Sequence, residues 1–321
     1  MGEFELIRHY FAAAPCAQAG DGVALGIGDD CALLTLPPGE QLAVSTDTLV
    51  AGVHFPAVCE PFLLGQRSLA VAASDLAAMG ATPIAFTLAL TLPEVRADWL
   101  QAYAQGLNLM ARQCGLSLVG GDTTRGPLSL TMTVFGRVPA GQALTRSGAR
   151  PGDLVCVGGE LGNAAGALAL VLGEREAEPA LAEPLLAHYW SPPPQLALGQ
   201  ALRGKASAAL DISDGLLADC GHIAKASGVA MVLQLEHLPL GAALQGFLGL
   251  DGAREAALTG GDDYVIAFTL PPAHLAGLHA AGWAVQVVGR VEAGSGVSLH
   301  DRTGAHITPR SRGYQHFRET P

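Results

Sequence analysis

One arrangement recurs along the whole chain and limits what it can fold into: an apolar, strand-like run that ends in an aspartate-bearing turn. It stands at Gly26-Ile27-Gly28-Asp29-Asp30, Val44-Ser45-Thr46-Asp47, Val119-Gly120-Gly121-Asp122-Thr123, Asp211-Ile212-Ser213-Asp214-Gly215 and Gly260-Gly261-Asp262-Asp263-Tyr264. Short buried strands separated by helical runs require strands and helices to alternate in layers, so the chain reads as α/β or α+β. In Ala209–Leu216 two carboxylates and a hydroxyl sit where a strand gives way to a helix. A single acid at a helix start is ordinarily a cap, satisfying orphan backbone donors. Several such corners, with further acids nearby, call for a cation.

Size and charge narrow the partners. At 321 residues the chain exceeds one ordinary domain, so two are expected. Half of it is hydrophobic and only 5% aromatic, which suits helices packed closely on sheets. A net charge of −11 argues against nucleic acid or an anionic membrane as main partner. An anionic ligand would need metal ions as intermediaries. The first residues carry no basic leader or apolar h-region, and the apolar stretch 69–92 is broken by Asp75 and Pro83. Neither a secretory signal nor a membrane span is read. Six scattered cysteines without C-x-x-C spacing read as reduced, mostly buried residues of a cytoplasmic protein.

In chain order, helices are expected over 3–14, 61–80 and 98–113, with strands over 41–46, 83–92, 116–119 and 128–138. Ser45, Thr46 and Asp47 would sit at a strand end, followed by an extended loop through His54 and Phe55. The turn-rich stretch Thr145–Asp153 is the expected boundary, dividing residues 1–148 from 149–321. Beyond it, strands over 154–157, 207–210, 229–235, 264–270 and 284–291 alternate with helices, and acidic 174–184 reads as an exposed loop. Acidic corners in both halves raise the expectation of an active site between them.

Asp29, Asp30, Asp47, Asp75, Asp122, Asp211 and Asp214, with the hydroxyls of Ser45, Thr46 and Ser213, make up a set of oxygen donors with no His or Cys among them. Such oxygen donors suit hard cations, Mg²⁺ above all. Asp75 stands alone in an Ala/Leu-rich helix, where an unpaired carboxylate would be costly. Mg²⁺ on a net-negative protein implies a polyphosphate ligand, and Gly120-Gly121 and Gly158-Gly159 would let backbone amides approach phosphates. There is no G-x-x-x-x-G-K-[ST] run and there are only two lysines, Lys205 and Lys225. P-loop enzymes and protein kinases are excluded.

Taken together, Gly28-Asp29-Asp30, Ser45-Thr46-Asp47-Thr48-Leu49-Val50, Gly52-Val53-His54-Phe55, Asp75-Leu76-Ala77-Ala78-Met79-Gly80, Gly120-Gly121-Asp122-Thr123 and Asp211-Ile212-Ser213-Asp214-Gly215-Leu216 resemble the thiamine-monophosphate kinase family. That family sits in the wider group containing aminoimidazole ribonucleotide (AIR) synthetase and selenophosphate synthetase. The resemblance implies a two-domain AIR-synthetase-like fold, with an N-terminal sheet-plus-helices domain that dimerises and a C-terminal α/β domain. It further implies a homodimer, and transfer of the ATP γ-phosphate to thiamine monophosphate. Carried over residue by residue, Asp30, Ser45, Thr46, Asp47, Asp75, Asp122, Asp211 and Asp214 fall on Mg²⁺ positions. Tyr103, Gly121, Asp122, Arg146 and Ser213 fall on ATP positions, and His54, Asp262 and Phe317 on substrate positions. The family's Val-Glu-Gly-Val-His-Phe reads Val50-Ala51-Gly52-Val53-His54-Phe55 here, and its substrate-facing Glu is the shorter Asp262. No acid, base or nucleophile is expected among the catalytic groups: the acceptor phosphate is already anionic, so direct transfer needs charge neutralisation instead. Two other readings stand beside this one: a sibling ATP-using synthetase, and a scaffold whose acids only hold a divalent ion.

Overall fold

The computed structural model describes residues 3–309 and 313. Two compact units divide the chain, the first reaching Leu76 and resuming over Ala81–Ala143, the second comprising Ala77–Gly80 and the chain from Leu144.

In the first unit α1 (Glu3–Leu6) runs into a π-helical stretch, Ile7–Ala12, and β1 (Val23–Leu25) pairs with β2 (Leu33–Leu34). Then follow β3 (Glu40–Val50), α2 (Pro61–Ala78), β4 (Thr82–Leu92), α3 (Ala97–Cys114), β5 (Ser117–Arg125) and β6 (Ser129–Pro139). The four long strands form a sheet in the order β3-β6-β4-β5, antiparallel except for the β4/β5 pair. Alternation along β6 buries Leu130, Met132 and Val134 and turns Thr131 and Thr133 to the other face. The low polarity of α2 has a packing reason. A Cβ on Gly106 of α3 would stand 1.9 Å from the Phe62 carbonyl, and one on Gly65 of α2 2.3 Å from that of Tyr103. The two helices touch backbone to backbone.

The second unit contains β7 (Leu154–Val157), α4 (Asn163–Val171), α5 (Pro179–Trp190), α6 (Leu196–Leu202), β8 (Ala208–Asp211), α7 (Leu216–Ser227), β9 (Ala230–Gln234) and α8 (Ala242–Thr259). It closes with β10 (Ile266–Leu270), α9 (Leu275–Ala280), β11 (Gln286–Glu292), β12 (Gly296–His300) and β13 (His306–Ile307). Its sheet has the order β13-β12-β9-β11-β7-β10-β8. Successive residues feed two separate cores, Val155 and Val157 on one face and Cys156 on the other. Burial on both faces explains why these strands read as unbroken apolar runs.

Three local expectations change. Strand β3 extends well past residue 46 and β5 past residue 119, so Asp47 and Asp122 lie inside strands instead of at strand ends. The cross-strand pairs Thr46–Thr133 (3.0 Å) and Thr48–Thr131 (2.9 Å) carry β3 onward. The acidic stretch expected as a loop is partly helical, because α5 starts at Pro179, where the missing N–H is no loss. Residues 50–55 form a closed turn, with Gly52 N donating to Phe55 O at 2.8 Å, not an extended loop.

Candidate active site

Strand pairing decides where the first unit's acids point. Directly paired residues share a sheet face, so Ser45 and Asp47, opposite Val134 and Met132, lie on the buried face. There Ser45 Oγ donates to Asp75 Oδ2 of α2 at 2.5 Å, joining a strand hydroxyl to the solitary helix acid. Thr46 faces the other way, its hydroxyl on Thr133. Alternation thus leaves only its backbone on the side of Ser45 and Asp47. Asp122 pairs with exposed Ala89, which pairs with Thr131, itself paired with Thr48. It therefore belongs to the face opposite Asp47, on the opposite edge strand. Three strand spacings of about 4.8 Å separate those edges, roughly 14 Å.

Asp122 has other company. A cleft of about 830 Å³ brings Asp29, Asp30, Gly120, Gly121 and Asp122 together with Ile7, Arg8 and Phe11 of the N-terminal helical segment. Asp30 and Asp122 are exposed, and the Asp30 backbone N–H is held by Asp29 Oδ1 at 2.9 Å. Carboxylates, backbone amides and one arginine around an open cleft can receive an anion together with its cations. Gly121 has a structural duty as well: at φ +150°, a Cβ there would lie 1.9 Å from Leu88 O. Tyr103 is fully buried, 3.1 Å from the Ser68 hydroxyl and stacked on Trp99. Burial raises its phenol above the usual range. It belongs to the core of this unit and does not line the cleft. His54 closes its own turn, since Nδ1 accepts from Val50 N at 3.0 Å. The proton of the neutral ring therefore sits on Nε2.

In the second unit the Asp211–Gly215 corner forms as the sequence implies, β8 ending at Asp211 and α7 starting at Leu216. What fixes it is Asp219, one turn into α7. Its Oδ2 accepts from Asp214 N at 3.0 Å and Gly215 N at 3.1 Å, satisfying two donors at the helix start. Burial pushes the Asp219 carboxyl up to about 7, with the charges of Asp214 and Asp211 adding to the rise and the two N–H groups opposing it. Asp214, Asp219 and His222 each present a ligand atom within 4.8 Å of the others. The sequence reading missed Asp219 and His222, although the i, i+3 spacing on α7 was there to be read.

The Gly260–Tyr264 segment is stitched onto this corner. Asp262 N donates to Ser213 O at 3.0 Å and Tyr264 N to Ile212 O at 2.8 Å. A Cβ on Gly261 would lie 2.1 Å from Ser213 O, so only glycine permits the approach. Gly313 meets the same corner, its hypothetical Cβ 2.7 Å from Asp214 O. Arg146 is exposed, and its carbonyl accepts from Ser227 Oγ at 3.3 Å. Phe317 lies outside the described residues.

Two family models match the chain. Residues 28–138 match the family model of the AIR synthase related protein N-terminal domain, and 150–302 that of the C-terminal domain. A thiamine-monophosphate kinase of Salmonella typhimurium is 44% identical, with 98% of each chain covered. The chain belongs to the thiamine-monophosphate kinase family. Its fold is the two-domain AIR synthase-like fold, as the resemblance implied. A crystal structure of thiamine-monophosphate kinase from Stenotrophomonas maltophilia is 46% identical with a TM-score of 0.82, covering 87% of this chain and 91% of that one. A further structure, described as AaThiL complexed with AMPPCP and TMP, is 30% identical with a TM-score of 0.80, covering 88% and 89%.

Proposed function

We propose that the protein phosphorylates thiamine monophosphate at the expense of ATP, giving thiamine diphosphate and ADP. The observation that carries this reading is the likeness to a family structure complexed with AMPPCP, an ATP analogue with a methylene between its outer phosphates, and TMP. The chemistry is self-consistent. A phosphate monoester has a second pKa near ~6, so its oxygen is already anionic at neutral pH and no base is needed. That oxygen forms a bond to the γ-phosphorus as the bond to the β,γ-bridging oxygen breaks, and ADP departs with the electron pair.

Mg²⁺ is the implied cation, and the donor set fits it: carboxylate and hydroxyl oxygens, two of them already 2.5 Å apart at Ser45 and Asp75. In the first unit Ser45, Asp47 and Asp75 would hold it at one sheet edge, with the Thr46 backbone beside them. Asp30 and Asp122 would do so at the cleft. Asp211 and Asp214 are the second unit's candidates. When bound, the metal supplies charge neutralisation for the meeting phosphates. The cleft residues Gly121 and Arg8 offer an amide and a guanidinium to phosphate oxygens. His54, Asp262 and Phe317 are the substrate-facing candidates, and Arg146 and Ser213 further nucleotide contacts. We assign Tyr103 a supporting role in the core of the first unit, where it meets Ser68 of α2.

A homodimer through the N-terminal domain is supported by β3, an edge strand on which Leu42 and Val44 stay 45% and 54% exposed. Exposed apolar residues on an unpaired edge invite a second copy. Among the described residues no helix is long and apolar enough to cross a membrane; a cytoplasmic location is proposed together with the kinase reading.

Incubating the purified protein with ATP, MgCl₂ and thiamine monophosphate tests the reading. Thiamine diphosphate and ADP in equal amounts are expected. Nucleotide binding without thiamine diphosphate would point instead to a sibling synthetase, and Mg²⁺ binding without nucleotide to a scaffold.

A further inference from the structure

Asp263 is the acid with the least apparent reason to be where it is. It is wholly buried, and its Oδ1 has no hydrogen-bond partner. Oδ2 accepts from Gly162 N at 2.6 Å, and the Ala164 and Asn163 amides also face the carboxyl. These are the first N–H groups of α4, a helix that Gly162 opens without any side-chain cap of its own. Asp263 therefore caps α4 from 101 positions away in sequence. On its other side His188 Nε2 lies 3.1 Å from the Asp263 carbonyl. A carbonyl can only accept, so Nε2 carries the proton.

The neighbours of Asp263 show what this grip holds. Asp262 has φ +68° and Tyr264 φ +52°, and they are the two non-glycine residues with positive φ among the described residues. Side chains disfavour that region, and such conformations persist only where the surroundings over-determine them. Here the determinants converge: the α4 amides below, His188 on the carbonyl, and the backbone bonds from Asp262 N and Tyr264 N to the Ser213–Ile212 corner. The Tyr264 hydroxyl then donates to Asp262 Oδ1 at 2.7 Å, fixing the direction of that carboxylate.

We propose that Asp263 is a positioning residue for the phosphate acceptor: by anchoring the strained Asp262–Tyr264 segment to α4, it holds the Asp262 side chain in its substrate-facing direction. This rests on the thiamine-monophosphate kinase reading. It assigns a task to a buried acid, and it explains how the shorter Asp262 serves where the family carries Glu. Its side chain is pinned by Tyr264 instead of reaching by length.

The test is a steady-state comparison of wild type, Asp263→Ala and His188→Leu, each below its own melting temperature. Asp263→Ala should raise the KM for thiamine monophosphate roughly tenfold, since small misplacements of a positioned group are costly, and leave the KM for ATP within about twofold. His188→Leu removes the carbonyl contact and leaves the bond from Gly162 N to Asp263 Oδ2 in place. It also removes the 3.8 Å approach of Nε2 to Asp263 Oδ1, so it loosens the segment from one side only; it should raise the same KM by a few-fold and spare ATP, which keeps the test open if Asp263→Ala does not fold. Lower melting temperatures with both KM values unchanged in His188→Leu, or equal rises for both substrates, would overturn the positioning role and leave the kinase reading intact. A wild type that makes no thiamine diphosphate would overturn that reading and this inference with it.

Discussion

The two units use aspartate in opposite ways. In the first, Asp30 and Asp122 stand exposed around a cleft, and Asp75 receives a hydroxyl from a neighbouring strand. In the second, Asp219 and Asp263 are buried and each turns an oxygen to backbone amides. These acids therefore divide into ones left wholly or partly open to solvent, where a cation is proposed, and ones that shape the chain around them. The difference comes from solvation: an exposed carboxylate keeps its charge cheaply and can exchange water for Mg²⁺, whereas a buried one must find donors at once.

Removing charge from the exposed set should cost most in rate and least in stability. Asp122→Asn is expected to lower kcat for thiamine diphosphate formation about 10²–10³-fold, the scale of a lost electrostatic group in transfer, with an unchanged melting temperature. A comparable drop from Asp219→Asn alone, with full activity left in Asp122→Asn, would break the division.

Next in size is stability. Asp219→Ala strands the Asp214 and Gly215 amides, which should cost about 1–3 kcal/mol in denaturant titration. A loss near zero would mean that the corner does not depend on Asp219.

The buried set should also make stability fall with pH. Burial raises Asp263 to about 8 and Asp219 to about 7, against about 3.9 for an unfolded carboxyl. Between those values the folded chain holds more protons than the unfolded one, so this contribution is complete below about pH 4 and lost as pH rises through 7 to 8. Melting curves from about pH 5 to 8.5 should show the decline, and Asp263→Asn should flatten it. An equal slope in the variant would contradict the raised pKa.

Smallest is Thr46→Val, which cuts a cross-strand hydroxyl pair worth under about 1 kcal/mol. It should leave turnover intact, because only the backbone of Thr46 shares a side with Asp47. A large loss of activity would place its hydroxyl on the cation after all.

Much of this was legible beforehand. Apolar runs located most strands, and the corner at Asp211–Leu216 formed where the strand-to-helix switch in pattern placed it. Asp47 and Asp122 were misplaced onto strand ends because polar residues on a half-exposed strand look like a turn until their cross-strand partners are known. On β3 the flanking Thr46 and Thr48 find theirs in Thr133 and Thr131, more than eighty residues away, and on β5 Asp122 lies opposite Ala89. Nor could local pattern reveal that Asp263 serves α4, since Gly162 lies 101 positions from it. The family motif singled out Asp262; only three-dimensional packing shows why its neighbour is also an acid.

The division itself is tested most directly by the Mg²⁺ dependence of turnover in wild type, Asp122→Asn and Asp263→Asn. The account predicts that Asp122→Asn shifts half-saturation to markedly higher Mg²⁺ while Asp263→Asn leaves it at the wild-type value. Equal shifts in both variants, or a shift in Asp263→Asn alone, would contradict it.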